Sequence, residues 1–269
     1  MRRNGQIGLG AWVTAFFGLV AAMGLASPHA AAAPIAIANH SFEADPNNAN
    51  EFFFGTPTGW QLVDPGGIIA NDNPAISGVD VTGSLTVTGG AYFGGVAPDG
   101  DNVGIIFLGE EIGTSEVGLA QVLGAALTAN TTYTLTVAVG NIESGPTQQF
   151  GNFDLSGFPG YRIELLAGNT LLASNSEGIA SPIAEGVFED RSLVFTPDAS
   201  HAALLGQALQ IRLYNTNLTD PAFPGVDLEV DFDNVRLDAT TTPVDGPAGL
   251  PLLAFGLAVV GLTAGRRRA

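Results

Sequence analysis

Residues 131–140, TTYTLTVAVG, constrain the fold more than any other stretch of this chain. Tyr133, Leu135, Val137 and Val139 alternate with Thr132, Thr134, Thr136 and Ala138. Side chains along a strand point to opposite faces in turn, so this segment predicts a strand with one apolar and one polar face. The same period recurs along the chain. GLAQVL (118–123) precedes it, and RSLVFTP and LQIRLYN follow. YRIELLAGNTLLAS reads as a hairpin, with Tyr161, Ile163 and Leu165 facing inward and Gly168-Asn169 at the turn. VGIIFL (103–108) is apolar throughout and predicts a strand buried on both faces. A helical period shows only near 199–207, and Gly, Asn, Asp and Pro punctuate the gaps. The predicted fold class is all-β: one antiparallel β-sandwich with jelly-roll character.

The two ends fall outside that domain. MRR, the apolar run Ile7–Leu25 and SPHAAAA read as a secretory signal peptide over 1–32, with cleavage after Ala32 by signal peptidase. The sandwich then spans 33–240. Residues 241–269 hold a Pro/Gly linker, an apolar run from Leu250 to about Ala264, and an Arg cluster, Arg266, Arg267 and Arg268. That run is shorter than the ~20 apolar residues of a membrane span, and the arginines mark a cytoplasmic stop. This tail resembles the PEP-CTERM sorting signals, with PVDGPAG, including Pro243 and Pro247, in place of the usual Pro-Glu-Pro core. The resemblance implies an exosortase-type processing enzyme and transient membrane contact. A simple C-terminal anchor is the other reading. Both place the body outside the cytoplasm, in the cell envelope or beyond.

Charge narrows the partners. There is no Lys, and five of the nine arginines lie in the terminal signals. Arg162, Arg191, Arg212 and Arg236 are left in the body of a chain that carries 26 acidic residues. Such a surface repels nucleic acid and anionic lipid and suits divalent cations. Schiff-base chemistry is excluded by the absence of Lys. Cysteine is also absent, so the fold holds by its core and by any metal it binds. His40 and His201 are too few for a His/Cys zinc site, and no nucleophile elbow or phosphate-binding glycine loop appears.

Three Gly/Pro/Asn-rich stretches, 43–59, 64–78 and 141–160, predict long loops and carry much of the phenylalanine. Such loops are where a sandwich binds and reacts. Their phenylalanines either line a site or fold back over the core.

VDLEVDFDNVRL (226–237) carries the candidate chemistry. Val226, Leu228, Val230 and Phe232 share one face, while Asp227, Glu229, Asp231 and Asp233 share the other. The apolar phase then slips to Val235 and Leu237, which predicts a β-bulge near Asp233-Asn234 that re-aims Asp233. Asp227 and Glu229 read as solvated. Asp231 and Asp233 read as a cation ligand or a carboxyl of raised pKa.

IANHSFE (37–43) and DFDNVRL at the far end resemble the opening and closing strands of galactose-binding and carbohydrate-binding-module-like sandwiches. That resemblance implies a structural Ca2+ held by Glu43 and Asp233 with backbone carbonyls, the oxygen-only ligation calcium requires. APDGDNVGIIFL (97–108), GLAQVLGAALTANTTYTLTVAVGN (118–141), SGFPGYRIELLAGNTLLA (156–173) and VDFDNVRL (230–237) together resemble the Stig cyclases, also called hapalindole-type cyclases. Those are calcium-dependent sandwiches that rearrange and cyclise an isonitrile-bearing indole–terpene precursor. The resemblance implies Asp231 as proton donor and an aromatic wall of Tyr92, Phe93, Phe107, Phe158 and Tyr161. At Phe107 the family's tyrosine hydroxyl is missing.

Two functional readings follow. The first is an exported envelope or matrix protein whose calcium-binding module takes a glycan or other small ligand. The alternative is a calcium-dependent lyase or isomerase with Asp231 as general acid. A purely structural matrix protein is a third. Trp60 is the only tryptophan beyond the signal peptide, and sugar platforms need exposed aromatic rings.

Overall fold

The alternating segments fold as strands in the computed structural model, which describes residues 32–45, 47–69, 81–109, 115–147 and 151–242. In chain order these are β1 (Ala32–Ile35), β2 (Phe52–Phe54), β3 (Gln61–Val63), β4 (Val81–Thr86), β5 (Asn102–Leu108), β6 (Val117–Ala126) and β7 (Thr131–Asn141). There follow β8 (Gly145–Thr147), β9 (Gly151–Phe153), β10 (Tyr161–Ala167), β11 (Thr170–Glu177), β12 (Val187–Phe195), β13 (Ala208–Asn215) and β14 (Leu228–Thr241). Short 3-10 turns occupy Tyr92–Gly95 and Ala199–Leu204, the latter where the sequence hinted at a helical period.

One sheet runs β12-β7-β14-β5-β4-β2, with β1 added beside the far half of β14. The facing sheet runs β11-β10-β13-β6-β3. The pairings are antiparallel, and β10 and β11 form the expected hairpin, with Gly168 at a positive φ of 55° in its turn. The small β8–β9 hairpin lies within the stretch 141–160 that the sequence assigned to loop. Within 43–59, β2 pairs with β4 at the sheet edge. Of the stretch 64–78, residues 70–78 are outside the described residues.

The sandwich core takes one side chain in two from each strand: Leu135, Val137 and Val139 from β7, Ile163 and Leu165 from β10, Ile211 and Leu213 from β13. Each such side chain, fully buried, contributes about 1.5–3 kcal/mol relative to exposure. A second apolar cluster covers the opposite face of the larger sheet. It contains Phe52, Val81, Leu85, Tyr92, Val103, Ile105, Phe107, Ile142 and Leu155. β5 therefore packs on both faces, Ile106 and Leu108 inward and Val103, Ile105 and Phe107 outward, which is why its sequence is apolar throughout.

The predicted bulge in β14 is present. Its register against β7 shifts between Asp233 and Arg236, and Asn234 takes a φ of 48°. Leu228, Val230 and Phe232 before it, and Val235 and Leu237 after it, all enter the sandwich core. At the same point β14 leaves β5, last paired at Phe232–Gly104, and takes β1 from Leu237 onward. Gly104 is needed there. A Cβ at this position would run into the ring of Phe42, which stacks on Trp60 with centroids 5.4 Å apart.

Candidate active site

Alternation along β14 sends Glu229 and Asp231 to the face opposite Leu228, Val230 and Phe232, under the second apolar cluster. Asp231 is 0% exposed and Glu229 2%. The expectation that Glu229 is solvated is thus corrected. It was read from β14 alone, whereas its partner strand β5 is covered on both sides. Asp227, nearer the strand end, is half-buried.

The cross-strand register places Asp231 at the middle of one row. Gly140 of β7 lies on one side of it and Ile105 of β5 on the other. Beyond them come Phe188 of β12, opposite Gly140, then Gly83 of β4 and Phe54 of β2. Directly opposed residues share a face, so Asp231 sits between Gly140 and Ile105 in a row that ends in phenylalanines. Gly140 has a packing reason: a Cβ there would come within 2.5 Å of the Phe188 ring. In the next row Glu229 faces Phe107, which faces Val81.

Aromatic side chains close over these rows. Phe107 packs against Phe153 at 5.4 Å, Phe93 against Phe188 at 4.2 Å, and Phe52 lies edge-on to Tyr92 at 6.4 Å. Tyr92 is fully buried and its hydroxyl reaches no hydrogen-bond partner. Gly145 leaves room for its ring. The backbone at Phe93, which has a φ of 52°, is held by its N–H, which donates to both carboxylate oxygens of Glu143 at 2.9 and 3.0 Å.

No oxygen of Glu229 or Asp231 meets a hydrogen-bond donor. Two ionised carboxylates can only accept, so the facing pair bonds to itself only by holding a proton. Burial raises both pKa values. Asp231 stands well above the usual carboxylate range, pushed further by the charges of Glu229 and Glu143. Burial also raises the Tyr92 phenol, with Glu229, Glu143 and Asp231 adding to the effect. None of the body's four arginines relieves the pair. Arg162 binds Glu116 and Glu164, Arg191 binds Glu177 and Glu189, Arg236 binds Asp190, and Arg212 donates to Gln210. The arrangement is a proton-holding carboxyl in an apolar, aromatic enclosure, which is what a general acid requires.

Of the aromatic residues expected around Asp231, the structure brings Tyr92, Phe93 and Phe107 to its side of the sheet. Phe158 and Tyr161 lie in the sandwich core on the other side, their rings 6.3 Å apart. Phe153, one of the loop phenylalanines, and Phe188 stand on the Asp231 side instead; the sequence reading did not single out Phe188 or Glu143. Gly140, inside a strongly alternating strand, was the available signal, because an interior strand glycine marks a close approach.

A second acidic site forms beyond the bulge. Asp233 accepts from the Asp99 N–H at 2.7 Å and the Asn234 N–H at 2.6 Å. Glu43 Oε1 accepts from the N–H groups of Asp101 and Asn102 at 2.9 and 2.7 Å. Both carboxylates thus grip one loop, residues 99–102. Asp233 is buried, and its pKa is pushed up to about 8 by burial, against its two backbone hydrogen bonds and with the charges of Asp99 and Glu43 adding. His40 Nδ1 lies 3.6 Å from an Asp99 carboxylate oxygen beside this site. Among the described residues no three His, Cys, Asp or Glu side chains group as a metal site by themselves. The two carboxylates supply the oxygen ligands that a hard cation takes.

Elsewhere, a cleft of about 360 Å³ between β1 and the far half of β14, lined by Ile35, Ile37, His40 and Leu237 among others, is separate from the Asp231 enclosure. Trp60 is 6% exposed beneath Phe42, so it offers no sugar platform. Residues 1–31 and 243–269 lie outside the described residues, and with them most of the signal peptide and Pro243, Pro247 and Arg266–Arg268. Ala32, expected to end the signal peptide, pairs with Thr240 in β1.

The sequence matches the HpiC1-like family, described as HpiC1 cyclase, over residues 33–238. A comparison with curated proteins found no match. Among solved structures, a cyclase from Fischerella sp. TAU is 38% identical, covers 80% of this chain and 100% of its own, and superposes with a TM-score of 0.66. The Stig cyclase Fisc from Fischerella sp. TAU, solved with (3Z)-3-(1-methyl-2-pyrrolidinylidene)-3H-indole, is 37% identical over 79% of this chain and 100% of its own, with a TM-score of 0.66. A Fischerella sp. TAU cyclase in complex with 4-(1H-indol-3-yl)butan-2-one is 38% identical over 79% and 100%, with a TM-score of 0.64. The matched span runs from β1 into the far half of β14 and so includes both acidic sites. With this sandwich, this register and this span, the chain belongs to the HpiC1 cyclase family.

Proposed function

We propose that the protein is an acid-initiated cyclase acting on an apolar, indole-bearing substrate, with Asp231 as the proton donor. The observation that carries this reading is the Asp231 carboxyl itself: fully buried, reached by no donor except a proton shared with Glu229, and flanked by Gly140 and Ile105 beneath aromatic side chains. Asp231 gives its proton to the substrate, leaving a carboxylate and a substrate cation. Ring closure and loss of a proton from that cation return the acid, so the reaction is an isomerisation without net consumption. The indole ligands of the related structures support the substrate class. Tyr92 supplies a buried hydroxyl that Phe107 lacks, from a different element of the fold.

The proposal includes a structural Ca2+ held by Glu43 and Asp233 with backbone carbonyls of the 99–102 loop. The ion would tie both ends of the domain to one loop and relieve the buried charge of Asp233. It also includes export, suggested by the composition of the terminal segments; fractionation of producing cells, with the protein found outside the cytoplasm, checks that part.

The test is turnover of an isonitrile-bearing indole–terpene by the calcium-loaded protein and by Asp231→Asn. Loss of the general acid lowers the rate by about 10²–10⁴-fold. Undiminished turnover in the variant, or none in the pure, calcium-loaded protein, would overturn the assignment.

A further inference from the structure

Asp231 accounts for one of the two buried carboxyls, and Glu229 has no part in the chemistry so far. Apart from the proton that Glu229 and Asp231 can share, no donor reaches their oxygens, and the Tyr92 hydroxyl has no hydrogen-bond partner. Each of these groups belongs to a residue at most 2% exposed. Leaving such groups unmade costs about 1–3 kcal/mol apiece, more for a charged one. Tyr92 is close enough for the Glu229 charge to act on its phenol, yet the two do not bond. The Tyr92 hydroxyl and the Glu229 carboxyl thus bring hydrogen-bonding capacity to one enclosure without using it on each other.

The chemistry of the enclosure selects the charge of a group bound there. The body's arginines are engaged elsewhere, as shown above, and the whole chain has no lysine, so the described residues bring no cation into the enclosure. Glu229 lies directly opposite Phe107, whose ring packs on Phe153. A buried carboxyl beside aromatic faces can pass its proton to a basic ligand, and the resulting carboxylate then holds the cation by charge while the rings hold it by their quadrupoles.

We infer that Glu229 and the rings of Tyr92 and Phe107 form a subsite for the positively charged, nitrogen-bearing part of an aromatic ligand. The inference rests on the proposed function only in placing an indole-bearing molecule over Asp231. It goes beyond that reading by assigning the ligand's charge and the residue that recognises it. In turnover the Glu229 side chain would face the positive charge that develops on the substrate once Asp231 has given up its proton.

Two indoles serve as probes. (3Z)-3-(1-methyl-2-pyrrolidinylidene)-3H-indole is a vinylogous amidine and takes a proton at its ring nitrogen to become a delocalised cation. 4-(1H-Indol-3-yl)butan-2-one is a neutral ketone of similar size. Calorimetric titration of both into the calcium-loaded protein at neutral pH is expected to show the base binding about tenfold to a hundredfold tighter, the range for a hydrogen bond to a charged group. Glu229→Gln, which keeps the side chain's shape, is expected to collapse that ratio toward unity. Equal affinities in the wild type, where no variant is involved, or tighter binding of the ketone, would overturn the inference and leave the indole-cyclase reading standing. A preference that survives Glu229→Gln would assign the charge recognition elsewhere and also overturn it. Failure of both indoles to bind would overturn the inference together with the proposed function.

Discussion

Glu229 gives the sharpest test of the buried acid pair, through stability against pH. Burial is the largest cause of its shift and raises its pKa from the ordinary 4.5 to about 8. Between those values the folded protein holds a proton that the unfolded chain has lost. Stability therefore falls with rising pH, by about 1.4 kcal/mol per pH unit for each such proton. The contribution is fully present below the unfolded pKa and gone above the folded one. Over two pH units inside that window, one extra proton held by the buried pair corresponds to about 3 kcal/mol, a large part of a typical domain's 5–15 kcal/mol. The perturbation is Glu229→Gln, which cannot titrate. Its buried amide carries a hydrogen-bonding cost of its own, so the readout is the slope of stability against pH and not its value at one pH. Urea unfolding is followed at a series of pH values with calcium saturating, which holds the Asp233 site constant. The wild type is expected to show the steep decline, and the variant a shallower one that keeps only the share of Asp231. Parallel slopes for the two proteins would refute the claim that Glu229 is buried and protonated.

Other outcomes follow from the same geometry. Gly104→Ala puts a methyl group into the Phe42 ring; overpacking of this kind costs about 1–3 kcal/mol, and an unchanged Tm would contradict the packing. Gly140→Ala forces the Phe188 ring aside from the Asp231 row, so the affinity for 4-(1H-indol-3-yl)butan-2-one should fall about tenfold, equivalent to roughly 1.4 kcal/mol; unaltered titration curves would remove Phe188 from the enclosure. Chelation should lower the Tm, since a bound ion at about 100 times its Kd adds about 2.7 kcal/mol. Asp233→Asn should abolish that response, and a wild-type Tm indifferent to chelator would retire the calcium site.

Much of this was legible in the chain itself. Alternation in TTYTLTVAVG fixed which residues of β7 face the sandwich core, and the slip from Phe232 to Val235 located the bulge to within a residue of Asn234. The stretches at 97–108, 118–141, 156–173 and 230–237 carried the family resemblance, later matched over 33–238. Such features are local, because steric alternation and turn conformation act over a few neighbouring residues.

What covers a face is not local. Glu229 and Asp227 look alike in VDLEVDFDNVRL, and only the tertiary structure separates them, by laying β5 and the Tyr92–Gly95 turn beside one and not the other. Phe153 and Phe158 are five residues apart in one loop stretch, yet they pack on opposite sides of the larger sheet. Period two tells which side chains share a face; strand order decides which of those faces meets water. By burying a carboxyl pair in an enclosure without a cation, the fold turned an acidic strand into a candidate site for proton transfer.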